Sequence, residues 1–345
     1  MDGQLKRGLG SSATTGGMPM NTPRRGLLLG ALAAPAFVRG AQAQGGYPNR
    51  SISFLIPFAP GGGTDIIARA LQPTLQEELN GQAIAMENRP GASGTLAVAQ
   101  LSRARPDGYT MLMTTVSASA VVPPLLNPPP YDIYRDQTAV VLAGTVPLVG
   151  VVPLSSPAQD FDGFLAHARA NPGALNYSSS GVATQQHLAA ELLSVQAGLR
   201  MTHVPFRGTG QAVTEILAGR IDIAFDTLPT YLPHIRAGRV RAIAVTMPQR
   251  VQWLPDVPTV AERGFPGFDA NVWYMIMGPG GLPPEISARW VAGVNKALND
   301  PAVRAKVSDA GFIPGGGSQE DAANLLRRDA ERYAGVIRTA GIKLD

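Results

Sequence analysis

The stretch Pro57-Phe58-Ala59-Pro60-Gly61-Gly62-Gly63-Thr64-Asp65 decides the fold. It follows an apolar run at residues 52–56 and precedes Ile67, Leu71, Leu75 and Leu79, which are spaced as one face of a helix. Three glycines let backbone N–H groups approach a ligand closely, and Thr64 or Asp65 can cap the helix that follows. The positive end of that helix then favours an anion in the loop. A second unit of this kind lies downstream: Leu175-Asn176-Tyr177, then Ser178-Ser179-Ser180-Gly181-Val182-Ala183-Thr184, then a helical run through Leu188 and Leu192. Neither loop carries a general base, a metal cluster or a phosphate-binding lysine. Two such cradles without reactive groups point to capture rather than catalysis.

The N-terminus reads as an export signal over residues 1–44. Arg24-Arg25 precedes an apolar stretch at residues 26–38 and then Ala41-Gln42-Ala43, a small-residue pattern that predicts cleavage after Ala43. The apolar stretch is short of the roughly 20 residues that span a bilayer. The arginine pair in Thr22-Pro23-Arg24-Arg25-Gly26-Leu27-Leu28 resembles a twin-arginine signal. Residues 1–44 hold five Lys/Arg against one Asp, and the whole chain has a net charge of +4, so the remainder is neutral. The basic character therefore belongs to the signal. A nucleic-acid partner is not expected, because a binder of that kind carries a clustered basic face. The chain has no cysteine.

Beyond the signal, about 300 residues suffice for two domains. Short apolar runs at residues 52–56, 111–113, 149–152, 221–225 and 242–245 read as buried strands. Amphipathic runs at 64–79, 158–170, 185–197 and 211–218 read as helices between them, which predicts an α/β fold with mostly parallel sheets. Val146-Pro147 and Thr246-Met247-Pro248 bracket a middle segment and read as two crossings of a hinge. Residues 45–146 with 247–345 would then form lobe 1, and residues 147–246 lobe 2. The C-terminal part reads as helices at 286–298, 302–310 and 319–340, with Gly315-Gly316-Gly317 as a link that no strand precedes. Pro123-Pro124 to Pro128-Pro129-Pro130 reads as a loop.

Several chemistries are missing. No phosphate loop ending in Gly-Lys-Ser/Thr occurs, and Gly61-Gly62-Gly63 lacks the spacing of a dinucleotide fingerprint. No Gly-x-Ser-x-Gly elbow is present. His167, His187, His203 and His234 show no metal-type spacing and read as helix-surface or capping residues. No cofactor and no metal is expected.

Seven phrases occurring in order resemble one family. They are Pro57 to Asp65; Glu87-Asn88-Arg89-Pro90-Gly91-Ala92-Ser93-Gly94; Pro106-Asp107-Gly108-Tyr109-Thr110; Asn171-Pro172-Gly173; His203-Val204-Pro205-Phe206-Arg207-Gly208; Gly219-Arg220-Ile221-Asp222; and Pro255-Asp256-Val257-Pro258-Thr259-Val260-Ala261-Glu262. Together they resemble the periplasmic solute-binding proteins of tripartite tricarboxylate transporters, the Bug-type receptors. The resemblance implies a type II periplasmic binding fold, a Venus flytrap of two α/β lobes joined by crossing strands. It implies a small organic acid ligand, a carboxylate held largely by backbone N–H groups, and membrane transporter subunits as partners of a receptor in the periplasm; a monomer is the default expectation. The first ligand loop maps onto Phe58, Ala59, Pro60, Gly61, Gly62, Gly63, Thr64 and Asp65, and the second onto Ser178 to Thr184, with Ser179, Ser180, Gly181, Ala183 and Thr184 as candidate contacts. The family commonly has Gly-x-Gly-Ser/Thr in the second loop, whereas this chain has Gly181-Val182-Ala183-Thr184; a positive φ at Ala183 would be costly.

The individual residues admit more than one reading. Asp65 is a ligand or water contact, or a first-turn acid on the helix dipole. Thr184 donates to a carboxylate, caps its helix, or does both. Phe58 lines the cleft or belongs to the core. Phe206 and Arg207 shape the far end of a pocket, Arg207 alternatively being a surface or interlobe charge. Asp226, Thr227 and Ser117 follow strands, where open α/β sheets bind ligands. Trp253 and Trp273 read as packing residues. The competing functions are an extracytoplasmic enzyme acting on a small carboxylate, which needs an acid–base pair in the cleft, and a receptor that signals to a membrane kinase.

Overall fold

In a computed structural model, residues 46–340 are described; the export-signal segment lies outside them. The elements run β1 (Ile52–Ile56), α1 (Gly63–Glu78), β2 (Ile84–Asn88), α2 (Thr95–Ser102), β3 (Thr110–Thr115) and β4 (Gln137–Pro153). Then come α3 (Phe161–Ala170), β5 (Asn176–Ser179), α4 (Gln185–Ala197), β6 (Thr202–Pro205), α5 (Thr209–Leu217), β7 (Ile223–Thr227), α6 (Leu228–Arg236) and β8 (Val240–Val245). The chain closes with β9 (Asn271–Pro279), α7 (Pro284–Asn299), α8 (Pro301–Asp309), β10 (Ile313–Gly316) and α9 (Gln319–Ala340).

The fold is two α/β lobes sharing one long strand. Over residues 137–147, β4 pairs with β9 and β10, completing a first sheet in the order β2-β1-β3-β9-β4-β10. From Leu148 to Pro153 the same strand pairs with β7 and β8, and the second sheet runs β8-β4-β7-β5-β6. Pairing is parallel for β1 with β2 and β3, and for β5 with β6 and β7; every pairing of β4 and β9 is antiparallel. The expectation of mostly parallel sheets therefore holds only within the groups β1–β3 and β5–β7. A run of 17 residues in β4 replaces the short strand expected at 149–152. Gly315 and Gly316 belong to β10, so the tri-glycine is not a bare link between helices: its backbone extends the first sheet against β4.

Apolar spacing explains the layers. Ile67, Leu71 and Leu75 of α1 are buried against the first sheet together with Phe54, whose ring stacks on Trp290 of α7 at 5.7 Å. Trp273 is buried and its indole N–H donates to Asp329 on α9 at 2.9 Å, a packing role. Each fully buried large side chain contributes about 1.5–3 kcal/mol.

Where the chain passes between sheets, Thr246 acts as a tie. It follows β8, its N–H donates to Leu148 O at 3.1 Å and its carbonyl accepts from Ala270 N at 3.0 Å. Its buried hydroxyl accepts from Leu148 N at 3.1 Å and lies 2.5 Å from Ala270 O. Thr246→Val keeps the shape and leaves the Leu148 N–H without that acceptor in a dry site. The expected cost is about 1–3 kcal/mol in urea denaturation; an unchanged midpoint would show that the tie is dispensable.

Candidate ligand site

The loops after β1, β3, β5 and β7 all open on the same cavity. It is lined by Phe58, Gly62, Gly63 and Thr64 after β1, Thr115 and Ser117 at the end of β3, Ser180 after β5, Gln186 on α4, Thr209 on α5, Thr227 at the end of β7, and Val272 and Tyr274 on β9. The empty space between these residues, including its mouth, measures about 330 Å³. The crevice beyond the carboxyl ends of strands is where open α/β sheets take ligands.

Four helices begin at this cavity. Gly62 is the N-cap of α1, Thr227 is the N-cap of α6, Thr209 opens α5, and Gln186 stands second in α4. The first N–H groups of a helix have no intrahelical acceptor, and each N-terminus carries a partial positive charge. Hydroxyls from Thr64, Thr115, Ser117, Ser180, Thr209 and Thr227 complete the lining, and no Lys or Arg takes part. The site is built to accept negative charge from neutral donors. Gly63 is indispensable to this shape: a Cβ there would stand 2.2 Å from the Tyr274 hydroxyl.

A second, outer cavity of about 510 Å³ shares Phe58 and Ser180 with the first. Its other walls are Gly91, Ala92, Ser93 and Gly94 from the first lobe, and Gly181, Pro205, Phe206 and Arg207 from the second. Here the lobes touch directly. Ser93 Oγ donates to Val182 O at 2.6 Å, and Gly181, at φ +139°, leaves no room for a Cβ beside Ser93 Oγ at 2.6 Å. Ala59 and Pro60 do not line either cavity; they pack against Gly208 and Gly210 of the second lobe.

Several residues expected at the ligand hold the loops instead. Asp65 accepts from Gly61 N at 3.2 Å, Arg69 Nε at 3.0 Å and Asn88 Nδ2 at 3.2 Å. Burial alone would push its carboxyl up, but these donors outweigh it and hold it below the usual carboxylate range. Thr184 is the N-cap of α4, and its hydroxyl donates back to Gly181 O at 2.7 Å. Ser179 Oγ accepts from Gly181 N at 3.1 Å and lies 2.6 Å from His203 Nε2. None of the three lines a cavity; their polar atoms are taken up by the loops and by the elements that flank them. Asp226 is buried just behind the lining, bonded to Gln186, Thr209 and Thr227. The residues missed from sequence are Thr115, Gln186, Thr209, Val272 and Tyr274 in the inner cavity, and Gly91, Ala92, Ser93, Gly94 and Pro205 in the outer one. The strand-end rule that selected Ser117 and Thr227 could have found Thr115; Val272 and Tyr274 sit within an apolar strand and gave no local sign.

Two histidines support the second loop from beneath. His187 and His203 stack with ring centroids 4.0 Å apart and 4° between planes, and Tyr177 stacks on His203 at 4.9 Å. Ala183 N donates to His187 Nδ1 at 2.9 Å, which requires that nitrogen to be unprotonated. His203 lies on a strand, not on a helix surface or at a cap. Burial pushes both imidazoles down to about 4, with the neighbouring His187 lowering His203 further.

A larger surface depression, about 810 Å³, lies under the proline-rich loop beside Pro123, Pro130 and Asp132. Its charges are spent locally: Arg135 pairs with Asp136 at 2.7 Å, and Asp132 caps Tyr134 and Arg135 N–H groups. No convergent donors face it, so size alone does not make it the site.

The model of the family described as tripartite tricarboxylate transporter family receptor matches residues 67–342. The chain is 34% identical over 326 residues to the protein BugT of Bordetella pertussis, covering 94% of this chain and 100% of BugT. A Pseudomonas sp. protein encoded between tcbD and tcbE is 38% identical over 320 residues, covering 92% and 94%. Among solved structures, Rpa4515 of R. palustris with adipate superposes with TM-score 0.83 at 32% identity, covering 86% of this chain and 99% of that one. MatC of Rhodopseudomonas palustris with bound malate gives 0.80 at 30%, covering 84% and 100%.

Two outcomes test the loop architecture. Ala183 has φ +58°, the left-handed region that costs an L-residue roughly 1–2 kcal/mol. Ala183→Gly is expected to raise stability by up to about 1 kcal/mol in urea denaturation, part of the gain being offset by the freer unfolded chain; a loss would show the strain is absent. The histidines set a pH dependence. Their folded pKa lies below the unfolded value, so their contribution is present above about 6.5 and is lost as pH falls towards 4. His203→Gln should gain on the wild type by on the order of 2–3 kcal/mol between pH 6.5 and 4; parallel stability curves would contradict this.

Proposed function

The chain belongs to the tripartite tricarboxylate transporter receptor family, and on that premise we propose that it captures a small organic anion, a carboxylate, between its lobes and delivers it to a tripartite membrane transporter. The observation that carries this reading is the convergence of four helix N-termini and six Ser/Thr hydroxyls on one buried cavity without a charged side chain in its lining. A carboxylate there receives neutral donors from both lobes, so binding favours the approach of one lobe to the other. The family is one of receptors rather than enzymes, and the lining offers no acid–base pair for chemistry. Adipate and malate, bound by two relatives, support a carboxylic acid as the ligand class.

In this reading residues 45–146 with 247–345 and residues 147–246 are the moving lobes. The receptor works as a monomer in the periplasm, after export directed by residues 1–44 through the twin-arginine route. Family members are periplasmic binding proteins, and among the described residues no helix is long and apolar enough to cross a membrane. The ligand's head enters the inner cavity and its body extends past Phe58 into the outer one. Arg207 lines that outer cavity, is exposed, and forms no ion pair among the described residues, which supports a second carboxylate at the far end.

The test is a thermal-shift screen of mono- and dicarboxylates followed by calorimetry. A true ligand at 100 times its Kd adds about 2.7 kcal/mol of stability. Ser180→Ala should weaken that ligand by about 1–3 kcal/mol, through a donor lost in a closed site. Arg207→Ala should cost a dicarboxylate about 0.2–1 kcal/mol and leave a monocarboxylate of equal length unchanged. A ligand without an acidic group, or an affinity indifferent to Ser180, would overturn the reading.

A further inference from the structure

The cavity that favours an anion already has a carboxylate of the protein's own beside it. Asp226 is fully buried. Its Oδ1 accepts from Gln186 Nε2 at 3.0 Å, Thr209 Oγ1 at 3.0 Å and Thr227 N at 2.7 Å. All three donors belong to residues that line the inner cavity. Its Oδ2 is buried and has no hydrogen-bond partner.

Nothing positive compensates this carboxyl. The titratable groups that face it are Tyr231 of α6, whose hydroxyl is likewise buried without a partner, and Tyr274 of β9. From α4 and α5 it meets the amide of Gln186 and the hydroxyl of Thr209, and from β4 it stands in register with Val149. No Lys, Arg or His among the described residues forms an ion pair with it.

Two anions cannot share such a site. A buried carboxylate with one bare oxygen is already disfavoured, and a second negative charge nearby disfavours it further. The helix N-termini and hydroxyls can serve the ligand's charge or that of Asp226, but they serve both poorly. A proton on Oδ2 removes the conflict, because Oδ1 keeps its three donors as a carbonyl oxygen.

We propose that the inner cavity takes its carboxylate ligand together with one proton, which resides on Oδ2 of Asp226, so that the receptor carries a proton with each anion. This rests on the carboxylate reading of the site. Before any ligand arrives, burial already pushes the Asp226 carboxyl up to about 6. The proton comes from solvent, and its uptake ties affinity to pH: binding weakens as pH rises from 6, by at most tenfold per unit. Asp226 is a specificity residue in this scheme, since a neutral analogue of the ligand gains nothing from the protonated form.

The experiment has a ligand arm and a ligand-free arm. In the first, acetate, malate and adipate are titrated calorimetrically into the chain at pH 7 in two buffers of different ionisation heat. The wild type should take up close to one proton per anion and bind more weakly at pH 8 than at pH 6. Asp226→Asn keeps the Oδ1 acceptor without the charge; it should bind with no proton uptake and an affinity flat from pH 6 to 8. Binding by the wild type without proton uptake overturns the proposal, as does uptake that persists in the variant. So does wild-type binding that is lost when choline replaces sodium, because a metal cation would then neutralise Asp226.

The ligand-free arm compares urea denaturation of the two proteins. An acid whose folded pKa is raised contributes stability that is lost as pH rises, so the wild type should lose stability relative to Asp226→Asn between pH 5 and 7.5. Parallel curves overturn the proposal even if carboxylates bind. If none of the three acids binds either protein while the curves diverge as expected, the carboxylate reading fails, and the coupled proton with it, although the neutral carboxyl stands.

Discussion

Every feature of the site follows from the first turn of an α-helix, whose N–H groups have no acceptor of their own. Four helices, α1, α4, α5 and α6, place that turn at one cavity. Strand–loop–helix units impose this arrangement, because each parallel strand delivers its helix start at the carboxyl edge of its sheet. Two sheets do so towards each other because β4 belongs to both. In the proposed function an anion between the lobes would accept from first-turn N–H groups that a helix itself leaves without an acceptor.

The donors are useful only if their loops are held in place beforehand. Asp65 braces the glycine loop through Gly61, Arg69 and Asn88. Thr184, Ser179 and the stacked His187 and His203 brace the second loop through Gly181 and Ala183. The polar residues of these loops thus divide into those that line a cavity and those that fix the loops around it. Pre-orientation of this kind lowers the ordering cost of binding. The left-handed Ala183 shows that the second loop tolerates strain for the sake of its shape.

The strand–loop–helix units were legible in the sequence because their signals are local: an apolar run, a glycine or serine loop, and apolar residues at helical spacing. For Phe58, Gly62, Gly63, Thr64, Ser180 and Thr227 this placed the residue at the cavity wall. Locality also explains the misplacements. A polar residue in a ligand loop and one that caps the loop have the same type and spacing, so Asp65, Ser179 and Thr184 read alike from sequence and differ only in where their atoms turn. Tyr274 and Val272 come from β9, whose antiparallel place beside β3 and β4 is set by contacts more than 100 residues away in the chain. The 17-residue continuity of β4 was hidden for a related reason: Pro147 and the glycines within it are turn signals unless a partner strand holds them extended.

The most direct measurement is a crystal structure of the protein with the acid that best stabilises it. The account predicts a carboxylate group in the inner cavity, within hydrogen-bond distance of main-chain N–H groups opening α1 and of Ser180 from the second lobe. A ligand seated in the groove under the proline-rich loop, or one whose charge is met by an arginine with no helix N-terminus in contact, would contradict it.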